Sequence, residues 1–122
     1  MNTKRIAVLP GDGIGPETMR QGIKVLKAVC QKFSIEMEFN EYAMGGCAID
    51  QFDNPYPVET EKACLESDGI LLGAVGGPKW DNVEASKRAE SGLLRLRKSM
   101  NTFANLRPVK LHPQLSESST IK

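Results

Sequence analysis

The sequence predicts an α/β fold, a parallel-type sheet with flanking helices, and three observations carry that prediction. Ile6-Ala7-Val8-Leu9 is apolar without alternation, which suits a strand covered on both faces. A helical period follows, with Met19, Ile23, Leu26, Val29, Cys30 and Phe33 recurring on one side. An alternating segment from Ile35 to Tyr42 comes next, and strand, helix, strand in that order makes a right-handed parallel crossover.

Taken in order, the first strand runs from Arg5 to Leu9 and ends in "PGDGIGPE". A dinucleotide-binding turn requires Gly-x-Gly-x-x-Gly, whereas Gly11, Gly13 and Gly15 fall on Gly-x-Gly-x-Gly and the third required position is Pro16. The residues alone predict a tight strand-to-helix turn with positive φ at one or more glycines. Pro16 suits the first helical position and Glu17 the positive end of the dipole, so the helix spans about Pro16 to Lys32. Gly22 costs that helix roughly 1 kcal/mol against Ala, which implies close packing on the sheet. Ala43 to Pro57 reads as a loop with one helical turn, Val58 to Ser67 as a short helix, and Gly69 to Val75 as a third strand. The polar stretch from Gly76 to Glu90 is too long for a minimal connection and follows the carboxyl end of a strand, where α/β proteins place ligands. A helix from Glu90 to Met100 and a strand-like segment from Phe103 to Leu111 come after it, and the sequence closes on polar "HPQLSESSTIK".

The chain has 122 residues, with 16 basic and 15 acidic side chains and a net charge of +1, so no long-range field favours nucleic acid or anionic lipid. The longest apolar run, Ile70 to Val75, is too short to span a bilayer, and no signal-peptide core precedes the first strand. A cytoplasmic location is the expectation. Cys30, Cys47 and Cys64 are odd in number and form no CxxC pair, so they are expected as packed, reduced thiols.

The stretch "ESGLLRLRKSMNTFANLRPVK" carries the chemistry. On a helix Glu90, Leu93, Leu94 and Arg97 stand at i, i+3, i+4 and i+7, within an arc of roughly 100°. Arg107 follows where a returning strand would lie beside that helix. Two arginine forks converging on one spot suit a dicarboxylate, because each binds a carboxylate bidentately and neither loses its proton. The same helix also offers Leu93, Leu96 and Met100 as a core stripe, which would leave Arg97 a solvated flank. Lys79 and Trp80 can equally be a cation and an aromatic in a surface loop. His112, the lone histidine, has no nucleophile or ligand pattern around it and is expected to be structural or incidental.

Three blocks, "AVLPGDGIGPE", "LLGAVGGPKWD" and "ESGLLRLRKSMNTFANLRPVKLHP", occur in the order found in the isocitrate/isopropylmalate dehydrogenase family. Together they span nearly the whole sequence, which resembles the amino-terminal part of the family's 3-isopropylmalate branch. The resemblance implies NAD binding without the Rossmann fingerprint, so Pro16 is expected there. It implies a first cofactor loop from Gly77 to Glu90, with Gly77, Pro78, Lys79, Trp80 and Glu90 as cofactor contacts and Glu90 near the nicotinamide ribose. It gives Arg97 and Arg107 to the malate carboxylates and Leu93 and Leu94 to the isopropyl group. A branched alkyl group gains roughly 0.8 kcal/mol per buried CH₂ in such a pocket. An isocitrate site would instead need a polar group there.

The same resemblance implies a non-Rossmann isopropylmalate dehydrogenase-like fold that is incomplete in this chain. Residues 1–102 correspond to the first part of a discontinuous NAD-binding domain, and residues 103–122 to the start of a second domain for substrate and dimerisation. The catalytic lysine and tyrosine and the aspartates for Mg²⁺ or Mn²⁺ are expected beyond Lys122, so no catalytic residue or metal ligand is assigned within the chain. The implied partners are 3-isopropylmalate and a second copy in a homodimer, in leucine biosynthesis, with no nucleic acid and no membrane. The competing readings are a sister dehydrogenase for another alkylmalate, tartrate or isocitrate, and a non-catalytic interaction module.

Overall fold

A computed structural model describes residues 3–118; Met1, Asn2 and residues 119–122, with the polar end at Lys122, lie outside the described residues. The apolar first strand, β1 (Lys4–Gly11), is the middle of a three-stranded sheet. It is flanked by β2 (Met37–Glu41) and β3 (Gly69–Ala74), and both pairings are parallel. Ile6 stands opposite Phe39 on one side and Gly69 on the other. Helix α1 (Gly15–Phe33) connects β1 to β2 and packs against β1 and β3. Helices α2 (Gly46–Phe52), α3 (Val58–Glu66) and α4 (Ala89–Ser99) complete the regular structure before residue 100.

Because side chains alternate along a strand, Ala7 and Leu9 share one face of β1 while Val8 takes the other. Ala7 and Leu9 join Met44, Tyr56, Cys64 of α3 and Leu96 of α4 in the buried core, with Ile70, Val75, Leu93 and Met100 packed around it. Burying Leu9 or Val8 completely contributes about 1.5–3 kcal/mol each. The glycine turn after β1 is the tight strand-to-helix turn expected, with φ of 73° at Gly11 and 56° at Gly13. A β-carbon at Gly11 would overlap the carbonyl oxygen of Ala74, so only glycine allows β1 to end this close to β3.

Several expectations need correction. Phe103 to Leu111 forms no strand; Phe103 is 100% exposed and Val109 92%. A strand needs a hydrogen-bonding neighbour, the described sheet contains only β2, β1 and β3, and Pro108 has no N–H to donate. The loop after β2 contains a seven-residue helix, α2, rather than one turn. Gly22 is exposed and a side chain there would meet nothing within 4 Å, so it does not serve close packing. Of the helical stripe on α1, Val29 and Phe33 are exposed. A 19-residue helix is about 28 Å long whereas the six residues of β3, against which α1 packs, reach about 20 Å, so the helix outruns that strand.

Cys30, Cys47 and Cys64 are all free. Among the described residues no helix is long and apolar enough to cross a membrane.

Candidate functional site

The candidate site is built at the carboxyl ends of β1 and β3. Asp12, lodged between Gly11 and Gly13, is only 4% exposed. Its Oδ2 accepts the N–H of Gly46 at 2.6 Å and of Gly76 at 2.8 Å, and its Oδ1 accepts the N–H of Cys47 at 2.7 Å. One carboxylate thus fastens the glycine turn to the start of α2 and to the chain leaving β3. The Asp12 N–H in turn donates to the Ala74 carbonyl at 2.6 Å. Charge-assisted bonds of this kind are the strong ones, and here they fix the origin of the loop that follows Gly76.

Gly77, Pro78, Lys79 and Trp80 lie together at the head of that loop, where Pro78–Trp80 makes a 3₁₀ turn. The Lys79 ammonium lies 5.2 Å from the Trp80 ring centroid and 2.6 Å from Asp50 Oδ2, and Trp80 Nε1 donates to Asp50 Oδ1 at 3.1 Å. Those two donors hold the Asp50 carboxyl below its ordinary value, the Lys79 bond having the larger effect. Further along, Lys87 pairs with Asp53, and that bond raises the Lys87 ammonium above its usual range. Glu90 rejoins the start of the loop: a β-carbon at Gly76 would lie 3.4 Å from Glu90 Oε1. The structure therefore brings Glu90 and the Gly77 segment into one neighbourhood.

Helix α4 divides its leucines between two tasks. Leu96 is buried and Leu93 and Met100 pack against the core, so the stripe left open as a core face is one. Arg95 helps seat this helix, donating to Asn54 Oδ1 at 2.9 Å and to the Tyr56 carbonyl at 3.2 Å. Leu94 is 63% exposed and lies with exposed Glu90 and Arg97 at i, i+4 and i+7 on the solvent side. Leu93 and Arg97 also line a mainly apolar cavity of ≈ 310 Å³ with Ile70, Leu72 and Met100. Arg107 is elsewhere. It sits on the exposed segment after Thr102, its Nε donating to Asn105 Oδ1 at 3.4 Å, and it is not among the residues lining the cavity beside Arg97. The expected convergence of the two arginines relied on a returning strand that does not form.

Asp12, Gly46 and Asp50 went unassigned in the sequence reading. Asp12 carried a signal, an acid enclosed by glycines, but its three partners are 34, 35 and 64 positions away. His112 is exposed, its Nδ1 3.0 Å from Gln114 Oε1.

Residues 5–122 match the family described as Isocitrate/isopropylmalate dehydrogenase. The chain belongs to that family. As an isocitrate/isopropylmalate dehydrogenase family member it is 55% identical over 119 residues to the 3-isopropylmalate dehydrogenase of Bacillus subtilis (strain 168), covering 98% of this chain and 33% of that protein. It is 52% identical over 122 residues to the 3-isopropylmalate dehydrogenase of Aquifex aeolicus (strain VF5), covering 34% of it. The chain thus spans about a third of the length of the curated relatives it matches. Among solved structures, the β-decarboxylating dehydrogenase of Thermococcus kodakarensis in its apo form superposes with a TM-score of 0.65 at 32% identity, over 81% of this chain and 27% of that one. The isocitrate dehydrogenase of Methylococcus capsulatus shares the fold, with a TM-score of 0.62 at 22% identity over 81% of this chain and 26% of that one. The family fold is accordingly the one seen here, a parallel sheet with flanking helices.

Proposed function

We propose that the chain is the amino-terminal third of an NAD-dependent 3-isopropylmalate dehydrogenase. The whole protein would oxidise 3-isopropylmalate and release CO₂ to give 2-oxoisocaproate, in leucine biosynthesis, as a cytoplasmic homodimer. Residues 1–102 would form the first part of the discontinuous NAD-binding domain and residues 103–122 the entrance to the second. One observation carries this reading: α4 presents an exposed leucine, Leu94, between a carboxylate and a guanidinium on its solvent face. An apolar side chain kept at such a position suits a ligand that is anionic at one end and alkyl at the other. The names of the relatives support the same substrate.

Each residue then has a task set by its chemistry. Arg97 and Arg107 bind the malate carboxylates, and the dianion draws Arg107 in from its exposed segment because two forks on one ligand satisfy both charges. Leu94 meets the isopropyl group, assisted by Leu93 where it borders the cavity. Glu90, beside the loop, accepts hydrogen bonds from ribose hydroxyls, and Gly77 to Trp80 shape the wall on which the cofactor lies. NAD⁺, when bound, supplies the hydride acceptor. Among the described residues no group of three or more His, Cys, Asp or Glu side chains is placed to hold an ion. The Mg²⁺ or Mn²⁺ that the resemblance implies would, when bound, polarise the substrate oxygen.

In the full-length protein containing this segment, Arg107→Lys should lower kcat/KM for 3-isopropylmalate by about tenfold or more, since lysine keeps the charge and loses the fork. Arg5→Lys, on the exposed start of β1, serves as the control and should leave it unchanged. Equal kinetics for the two variants would remove Arg107 from the site, and faster turnover of isocitrate or tartrate by the parent would overturn the substrate.

Leu94→Ala should weaken discrimination between isopropyl- and methyl-substituted malate by about 1–3 kcal/mol without lowering the unfolding midpoint, because Leu94 supports no core. Leu93→Ala should lower both, since Leu93 also packs inward. Unchanged relative kcat/KM in Leu94→Ala would count against the alkyl pocket.

A further inference from the structure

The loop from Gly77 to Arg88 has little packing of its own. Neither of its 3₁₀ turns, Pro78–Trp80 and Ala85–Lys87, contains a buried residue. Its hydrogen bonds from Ser86 to Glu84 and from Arg88 to Val83 stay within the loop, and Ser91 of α4 reaches back to Ser86. Its side-chain tethers across the fold run to one place, the helix α2 and the residue that caps its end, Asp53. Lys79 and Trp80 share the two oxygens of Asp50, and Lys87 reaches Asp53 three residues on. The Trp80 ring lies directly on Gly46: a β-carbon at that position would run into three atoms of the indole. The other side of α2 is fixed, because Asp12 holds the N–H groups of Gly46 and Cys47 and simultaneously that of Gly76, where the loop begins.

We propose that α2 is the seat of the cofactor loop, with Gly46 and Asp50 as positioning residues that set the affinity for the nicotinamide cofactor by fixing Trp80 and Lys79. This rests on the reading of Gly77 to Trp80 as cofactor contacts. The physical argument is one of populations. A loop held by two exposed ion pairs, one indole N–H bond and one ring-on-glycine contact opens readily, because exposed ion pairs are weak and no buried side chain anchors either turn. The cofactor binds the seated form, so its apparent dissociation constant rises in proportion as that form is depopulated. Gly46 contributes a flat surface that any side chain would remove. Asp50 contributes two acceptor oxygens directed at two different donors on adjacent residues, which fixes both the height and the rotation of the turn.

The test uses the full-length protein and two readouts. Trp80 is the one tryptophan of these 122 residues, so the part of the indole emission that Trp80→Phe abolishes reports the seat before any cofactor is added. Gly46→Ala should shift that emission to the red and raise the KM for NAD⁺ about tenfold, with kcat and the KM for the malate substrate unchanged. Asp50→Ala, on the surface and without risk to the core, should raise the KM for NAD⁺ about fivefold, the upper range for an exposed pair. Asp50→Asn should recover part of this, because its amide oxygen still accepts from Trp80 Nε1. A red shift in both Gly46→Ala and Asp50→Ala with no change in the KM for NAD⁺ would reduce α2 to a structural support and overturn the proposal. So would an unshifted emission in both. A parent protein that binds no nicotinamide cofactor would overturn the assignment of function along with it, whereas an active parent with an unmoved KM in the variants overturns the proposal alone.

Discussion

Asp12→Ala is expected to destabilise the fold by upward of about 4 kcal/mol, because it removes the acceptor of three backbone N–H donors at once. Gly46, Cys47 and Gly76 each donate to this one buried carboxylate, and an unsatisfied buried donor costs about 1–3 kcal/mol, with the losses not strictly additive. Asp12→Asn separates charge from shape. If its amide NH₂ turns toward Cys47, the remaining oxygen still serves Gly46 and Gly76, and one donor is stranded; the opposite flip strands two. Asparagine should therefore be the milder variant, at about 2 kcal/mol. Denaturant midpoints of the full-length protein and its two variants measure the difference. Midpoints equal to the parent's would mean that the carboxylate is dispensable and that the glycine turn, α2 and the loop after β3 are held by other means. The order Ala, then Asn, then parent is what a triple acceptor requires.

The parts of this architecture that were legible in the sequence are those set by local pattern. The unbroken run Ile6 to Leu9, the helical period of α1 and the alternation of β2 each depend on neighbours within a few residues. The turn between β1 and α1 was legible for the same reason, since glycines at 11 and 13 admit the positive φ it needs. Helix α2 was not. Seven residues, Gly-Cys-Ala-Ile-Asp-Gln-Phe, are too few to show a period, and the helix depends on Asp12 for its first N–H groups. Phe103 to Leu111 failed in the opposite way: its local composition favours a strand, yet strand formation depends on a neighbour that composition does not report. Gly22 shows the limit of inferring packing from a residue's smallness, because its surroundings are open. Within the candidate site, Glu90, Leu94 and Arg97 were legible as a helical face. The tie between that face and the loop at Gly76 was not, because it arises from the meeting of β3 with α4.

The isolated 122-residue chain is expected to show no dehydrogenase turnover with 3-isopropylmalate, NAD⁺ and Mg²⁺. Oxidising a secondary alcohol requires a group to take the hydroxyl proton, and several of the hydroxyl, thiol and amine groups here are poorly suited to that task. The Tyr56 phenol is enclosed in the core, hydrogen-bonded with Ser99 at 3.2 Å and pushed up by burial to about 12. Burial likewise raises the thiols of Cys47 and Cys64, so neither supplies a ready thiolate. Lys79 and Lys87 are engaged with Asp50 and Asp53, and the pairing with Asp53 raises the Lys87 ammonium above its usual range. The guanidinium groups of Arg97 and Arg107 offer donors and no acceptor, so they act as binders alone. Folding adds a second obstacle: β2 and β3 each have one edge without a strand among the described residues, and Val25 and Phe33 leave apolar surface exposed on α1. The chain should therefore self-associate as its concentration is raised, visible as a concentration-dependent sedimentation coefficient. The activity measurement compares the purified chain with its Arg97→Ala, Arg107→Ala double variant, which discounts host enzyme carried through purification. Turnover present in the chain and lost in the double variant would show that catalysis resides in these residues, and would require one of this chain's own side chains to serve as the base.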